Sequence, residues 1–187
     1  MSKLAPGLLL AAPPLADPNF DKSVVLLASH GDEGAFGWVL NGRPLMSLSE
    51  LLTRAEITEE ASDVSGTVRV GGPVSQEQVW LVYPAEFRFP GIEGQFEVHT
   101  GIVATASRAV LELIAEGNIP ENLICLAGYA GWGPGQLEDE ILRGSWLPTD
   151  VDSKIVFEVP PEECWQEAYA RIGASPMAFT TRTVGLA

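Results

Sequence analysis

The residues best suited to chemistry lie in a glycine-rich stretch, residues 128–135, between an apolar run and a helical pattern. Backbone N–H groups at such a turn can bind an anion where the following helix begins. The stretch matches neither G-x-x-x-x-G-K-[ST] nor G-x-G-x-x-G, and the acids at 138–140 would oppose a phosphate. The pattern therefore favours a tight turn that lets Trp132 and Tyr129 pack, with anion binding as the alternative.

The acidic group Glu138, Asp139 and Glu140 suggests a cation site at first sight. Neighbouring helical residues point about 100° apart, so the three carboxylates cannot converge on one divalent metal. Arg143 follows at the i,i+4 and i,i+3 spacings of helical ion pairs, which predicts a solvated, salt-bridged face. Two histidines and two dispersed cysteines give no zinc spacing, so the sequence predicts no metal and no cofactor.

A catalytic triad can be drawn only on paper, from Ser23, His30 and Asp32. His30 lies in a predicted hairpin loop, and the chain lacks the G-x-S-x-G turn that presents a hydrolase nucleophile. We therefore predict no catalytic residue. A hydrolase is the least favoured function, and the motifs argue against an enzyme without deciding the question.

Two further turns carry polar and glycine signals, at Asn41 and at residues 71–73. Loops carry function more often than cores do, so we hypothesise that these turns meet the glycine-rich stretch in one ligand pocket. The candidate binding residues are Asn41, Gly71, Gly72, Pro73, Gly131, Trp132, Gly133 and Gln136. Trp132 is predicted to be an exposed binding aromatic, whereas the other four tryptophans are predicted to be core.

The elements that position these residues follow from hydrophobic periodicity and turn signals. Helix 47–55 begins with the capping-box pattern of Ser47 and Glu50. Strands and helices do not alternate regularly, which favours one α+β domain over residues 1–187 with a mixed sheet. The predicted strands are 7–12, 23–28, 35–40, 67–70, 78–83, 95–99, 123–127 and 154–159, and the predicted helices are 47–55, 105–116, 136–143 and 160–172.

Charge restricts the possible partners. The chain has 11 Lys and Arg against 25 Asp and Glu, a formal net charge of −14. Nucleic-acid binding and attachment to anionic membranes both need basic surface, so direct binding of either is disfavoured. No segment approaches the roughly 20 apolar residues of a membrane span, and the short apolar run at 8–12 is expected to be a strand. We expect a cytoplasmic protein.

Four stretches together resemble the AlgH/YqgE family of bacterial proteins. They are GLLLAAPP at 7–14 with NFDKSVV at 19–25, GAFGWVLN at 34–41, GGPV at 71–74 and GYAGWGPGQLEDE at 128–140. Their order and spacing over nearly the whole chain make the resemblance specific. Two positions depart from the family pattern: Gly42 is inserted after Asn41, and Tyr83 stands near a position where the family often has histidine.

The resemblance implies a single α+β domain whose strongly bent mixed sheet forms a pseudo-barrel with flanking helices. It also implies a cytosolic setting and carries a label of transcriptional regulator, but it assigns no reaction and no catalytic residue. With the charge, this predicts a regulatory or interaction role without catalysis, acting indirectly through an unknown protein partner or a small ligand. The alternative is a small-ligand or nucleotide-binding protein that uses the glycine-rich loops.

Overall fold

The computed structural model describes residues 4–13, 15, 17–59 and 64–176. Its elements in chain order are β1 (Gly7–Ala11), β2 (Val24–Gly31), β3 (Gly34–Val39), β4 (Pro44–Ser47), α1 (Leu48–Arg54), β5 (Thr67–Val70), β6 (Val74–Pro84), a 3-10 turn (Ala85–Phe87), β7 (Gln95–His99), β8 (Ile102–Thr105), α2 (Arg108–Ala115), β9 (Ile124–Trp132), α3 (Gln136–Leu142), β10 (Trp146–Thr149), α4 (Ser153–Phe157) and α5 (Pro161–Arg171). The chain divides into two compact units. We call residues 1–41 with 130–187 the discontinuous unit, and residues 42–129 the continuous unit.

The discontinuous unit is built on antiparallel strands in the order β10, β1, β2, β3 and the last residues of β9. Strand β1 is buried on both faces, as its uninterrupted apolar sequence predicts. Helix α5 packs against it through Trp165 and Tyr169, whose Nε1 and hydroxyl both donate to the Ala11 carbonyl oxygen, at 2.8 and 3.1 Å. The N-terminal strand and the last helix are thereby joined.

The continuous unit pairs its strands in the order β7, β8, β6, β9, β5 and β4, with residues 124–129 of β9 at its centre. The β5–β9 pair is parallel and the others are antiparallel, so the sheet is mixed, as predicted. Helices α1 and α2 cover one face of it and bury Leu48, Leu52, Val110 and Ile114. With strands and helices in both units, the α+β class is confirmed.

Local signals explain where several elements begin. The Ser47 hydroxyl accepts from the Glu50 backbone N–H at 3.1 Å, which confirms the predicted start of α1. The prediction of a strand at 154–159 is wrong, because this stretch forms α4 after Asp152, whose carboxylate accepts from the Lys154 N–H at 2.9 Å. A short apolar run does not distinguish a strand from a buried helix, and the cap decides this one. The weak strand pattern after residue 176 lies outside the described residues.

The glycine-rich stretch predicted to be a loop is largely strand. β9 continues through Trp132, so Gly128 and Gly131 are strand residues and only residues 133–135 form the turn into α3. Gly128 has φ +74°, and a Cβ there would lie 2.6 Å from the Val74 carbonyl oxygen. The glycine permits a close approach between two strands, a reason for glycine that a single sequence does not distinguish from a turn.

Candidate functional site

A largely apolar groove of about 460 Å³ lies in the continuous unit. Strand β4, helix α1, the first half of β6 and the start of α2 enclose it, above side chains from β5 and β9. Ten of its lining residues are apolar: Leu45, Met46, Leu51, Ala55, Ile57, Val68, Val79, Ala106, Leu111 and Ala127. Five are polar: Arg54, Gln76, Glu77, Gln78 and Arg108. Volume and composition both match those of small-molecule sites, which run from about 300 to 1,000 Å³.

An irregularity in β6 shapes one wall of the groove. The register of β6 on β9 shifts between Val74 and Val79, and Ser75 in between has φ +47°. On its other edge β6 pairs with β8 only from Leu81 onward. Residues 76–78 therefore project beside the groove outside the regular ladder, and Gln76 Nε2 donates to the Gly72 carbonyl oxygen at 3.2 Å. Bulges of this kind redirect side chains next to binding sites.

Two arginines supply the positive charge of the groove. Arg54 pairs with Glu50 at 2.6 Å, one helical turn away on α1. Arg108 pairs with Glu112 at 3.1 Å on α2, and its Nη1 and Nη2 donate to the carbonyl oxygens of Ala55 and Glu56, at 2.9 and 3.2 Å. The guanidinium of Arg108 thus lies across the C-terminal end of α1. The groove mouth has two cations held by hydrogen bonds and exposed ion pairs.

The predicted candidates Gly71, Gly72 and Pro73 are not among the residues that line this groove. The Gly71 N–H donates to the Ala127 carbonyl oxygen at 2.7 Å, and a Cβ on Gly71 would lie 2.6 Å from the carbonyl oxygen of Gly128. The turn therefore holds β5 close to β9. Its connection to the groove is the Gly72 carbonyl, which accepts from the groove residue Gln76.

Asn41 clamps a turn in the discontinuous unit. Its Oδ1 accepts from the Val24 N–H at 2.8 Å, and its Nδ2 donates to the Lys22 carbonyl oxygen at 2.9 Å. Ala35, near the other end of β3, pairs with Trp132. Asn41 follows Ala35 by six residues, roughly 20 Å of extended chain. The structure does not bring Asn41 and Trp132 together.

The prediction that Trp132 is exposed is wrong, since 6% of its surface is accessible. Its ring stacks near Phe20, with centroids 6.3 Å apart, and meets Trp146 edge-on at 5.8 Å. Glu140 Oε2 accepts from the indole Nε1 of Trp132 at 2.9 Å and from that of Trp146 at 2.8 Å. Of the other tryptophans, Trp38, Trp146 and Trp165 are buried, as predicted, and Trp80 is half-buried.

Gly133 and Gln136 belong to the turn that starts α3. The Gly133 N–H donates to Gln136 Oε1 at 3.0 Å, and Gln136 Nε2 donates to Glu140 Oε1 at 2.9 Å. Glu140 is therefore an internal acceptor for two indoles and one amide. The prediction of a solvated face paired with Arg143 is wrong for this acid, because buried indole N–H groups require an acceptor. Among the described residues, the ion pairs include none with Arg143.

His30 pairs with Glu138 rather than with Asp32. Its Nε2 lies 2.8 Å from Glu138 Oε1. A hydrogen bond from the Glu138 backbone N–H, and then the one with His30, lower the pKa of this carboxyl. Ser23 is buried and directly precedes β2, whereas His30 lies near the far end of that strand. Seven residues of extended chain span roughly 20 Å, so Ser23 and His30 do not belong to one triad.

Tyr83 stands near the position where the AlgH/YqgE pattern often has a histidine. Its side chain is fully buried, its hydroxyl donates to Gln95 Oε1 at 2.7 Å, and burial raises its pKa to about 12. It is a core residue with a satisfied hydroxyl. Within the described part of the chain, His, Cys, Asp and Glu side chains form no group of three suited to a metal ion.

The groove could not be predicted from the sequence, because its lining comes from six separate segments between Leu45 and Ala127. No linear motif links them. The one local signal was the helical spacing of α1, which predicted an apolar face but not that Leu51 and Ala55 of that face would remain open beside β6.

The fold and the groove define a mixed-sheet α+β protein with a largely apolar groove. The AlgH-like family model, DUF179, matches residues 8–177 and so spans both units. A UPF0301 protein of Anaeromyxobacter dehalogenans (strain 2CP-C) is 38% identical over 181 residues, which cover 94% of this chain and 91% of the relative. One from Alcanivorax borkumensis is 39% identical and covers 97% and 95%.

Two solved structures are also similar. The solution structure of the AlgH protein from Pseudomonas aeruginosa matches with a TM-score of 0.79 and 32% identity, covering 100% of this chain and 97% of that one. A crystal structure of a Corynebacterium diphtheriae protein matches with a TM-score of 0.69 and 25% identity, covering 89% and 86%. The chain belongs to the AlgH-like, UPF0301 family. No helix in the described ranges is long and apolar enough to cross a membrane.

Proposed function

We propose that this protein is a non-catalytic binding protein of the cytoplasm that regulates indirectly, by taking a small apolar ligand into the groove of the continuous unit. The observation that carries the proposal is the groove itself, a 460 Å³ concavity with ten apolar lining residues and five polar ones. Such a site binds through apolar contact, while a few polar groups fix the orientation of the ligand.

The chemistry of the lining supports binding over catalysis. The described residues that line the groove include no His, Cys, Ser, Thr, Tyr, Lys or Asp, and Glu77 is their one carboxylate. General acid–base and nucleophilic catalysis need a positioned titratable group or an activated nucleophile. Glu77 is exposed. The groove thus offers recognition without a reacting group.

Charge supports an indirect role in any transcriptional regulation. A net charge of −14 opposes the counterion release that drives protein–DNA association. The family resemblance implies a regulatory role. A protein that binds its ligand and then contacts a protein partner could have such a role without binding DNA. Specific, tight binding of pure protein to DNA in a gel-shift at physiological salt would contradict this part of the proposal.

A fluorescence titration with Nile red, a neutral apolar dye, tests the groove directly. Ala106 lines the groove and is solvent-exposed, so Ala106→Trp should fill the site without disturbing the core. Ala170→Trp, at an exposed position on α5 outside the lining, is the matched control. We expect saturable binding to the wild type and to Ala170→Trp, and at least tenfold weaker binding to Ala106→Trp.

Two results would overturn the proposal: no saturable Nile red binding, or equal affinity of the wild type and Ala106→Trp. Far-UV circular dichroism of each variant verifies that it is folded. ATP and GTP added as competitors test the alternative, nucleotide binding at the glycine-rich turns. That alternative predicts a thermal shift with nucleotide that survives Ala106→Trp and is lost in Gly133→Ala.

A further inference from the structure

We infer that the ligand class of the groove is an amphipathic carboxylate, with an alkyl chain on the apolar lining and a carboxylate bound by Arg54 and Arg108. The inference rests on the proposed function and adds a charge to its ligand. It is carried by three observations: the charge of the lining, the placement of Arg108, and the weakness of the ion pairs that the two arginines form.

The charge of the lining runs against that of the whole chain. The chain has 25 acidic residues and 11 basic ones, yet the groove is lined by two arginines and one acid, Glu77. The remaining lining residues are neutral. Glu50 and Glu112, which pair with the two arginines, lie outside the lining, so a ligand in the groove is expected to contact the guanidinium groups, which favour an anionic ligand over a cationic one.

Arg108 connects the start of α2 to the C-terminal end of α1. It is the first residue of α2, whose first turn contains no acid. A cation at the N-terminal end of a helix lies at the positive end of the helix dipole, which is electrostatically unfavourable. The guanidinium nevertheless reaches the C-terminal end of α1, where it meets the carbonyl of Ala55, the residue next to Arg54. A cation is favourable at this negative end of the α1 dipole, and it places a second arginine beside Arg54 in the groove lining.

The ion pairs of both arginines are easily exchanged, while the two backbone hydrogen bonds of Arg108 hold its guanidinium in place. Glu50 and Glu112 are exposed and lie one helical turn from their arginines. The arginine side chains are themselves 65% and 59% exposed. Ion pairs of this kind contribute little free energy. An arginine binds a carboxylate through two parallel hydrogen bonds, and an alkyl chain buried in the groove would hold the ligand carboxylate in place. Leu51, Met46 and Leu111 are available to contact that chain.

The test compares three ligands of one chain length below their micelle concentrations: dodecanoate, dodecanol and dodecyltrimethylammonium, each displacing Nile red. We expect dodecanoate to bind about tenfold more tightly than dodecanol, as one charge-assisted hydrogen bond would give. Dodecyltrimethylammonium should bind more weakly than dodecanol. Arg54→Gln, at a side chain 65% exposed, should lose most of the dodecanoate preference. Arg108→Gln should also reduce the preference for dodecanoate, and Arg143→Gln, at an exposed position, should leave this preference unchanged.

Far-UV circular dichroism checks that each variant is folded, and Arg143→Gln, outside the groove lining, should keep the wild-type affinity for dodecanol as well as for dodecanoate. If dodecanol binds the wild type as tightly as dodecanoate, or if Arg54→Gln and Arg108→Gln both keep the carboxylate preference, the inference is wrong and the proposed function stands. If none of the three ligands displaces Nile red, and none binds when its binding is measured directly, the proposed function fails as well.

Discussion

Replacing Glu140 by alanine should destabilise the protein by about 2–6 kcal/mol. The carboxylate oxygen that would be lost accepts from the indole N–H groups of Trp132 and Trp146, at 2.9 and 2.8 Å, and these side chains are 6% and 3% exposed. A buried donor left without an acceptor costs about 1–3 kcal/mol, and two donors are affected. The sum is a large fraction of the roughly 5–15 kcal/mol that stabilises a typical domain.

Urea unfolding followed by far-UV circular dichroism measures this difference without relying on tryptophan emission, which the substitution itself changes. Glu140→Gln keeps one acceptor oxygen but no charge, so it should lose less, about 1–2 kcal/mol. The exposed neighbour Asp139 provides the control, and Asp139→Ala should stay within about 0.5 kcal/mol of the wild type. If Glu140→Ala loses no more than Asp139→Ala, Glu140 is a surface acid and the argument from the two indoles is refuted.

Three further predictions concern other features. Gly71→Ala should destabilise the fold by about 1–3 kcal/mol in urea unfolding, because its Cβ would lie 2.6 Å from a carbonyl oxygen. Gly133→Ala should not, because its Cβ would make only an ordinary contact, at 3.8 Å from Gln136 Oε1. The lowered pKa of Glu138 stabilises the folded state at pH values above the ordinary pKa of the group, and this contribution is lost as pH falls through the lowered pKa. The difference in unfolding free energy between the wild type and Glu138→Gln should therefore vanish in acid. NMR titration should give the Glu138 carboxyl a pKa below the ordinary 4.5, and His30→Gln should raise that pKa. Burial raises the pKa of the Cys125 thiol to about 12, so a thiol reagent should modify it only as fast as the protein unfolds, and rapid labelling of native protein would contradict its burial.

Local chemistry could be predicted where one side chain decides the structure. The hydroxyl of Ser47 and the spacing of Glu50 predicted the start of α1, and the structure contains that hydrogen bond. The uninterrupted apolar run of β1 likewise predicted a strand buried on both faces. Such features depend on residues close in sequence, so the sequence alone contains the information.

The features that could not be predicted depend on residues distant in sequence. Gly128 is required by the carbonyl of Val74 on another strand, and without that neighbour its glycine is typical of a turn. Trp132 lies in a glycine-rich stretch, which is typical of an exposed loop, but Glu140 and Phe20 contact its side chain. The groove has the same origin, since segments that carry no motif line it only after the sheet has formed.

The division of the chain at Asn41 and Ala130 has a consequence for synthesis on the ribosome. The continuous unit has all its strands once Tyr129 has emerged. Strand β1 can pair with β2 early, but its other edge must wait for β10, and Ala11 waits for Trp165, which follows it by 154 residues. Contacts so far apart in sequence form late, because a long loop must close first. Strand β1, whose five residues are all buried in the folded protein, should therefore keep one edge unpaired until β10 has been made.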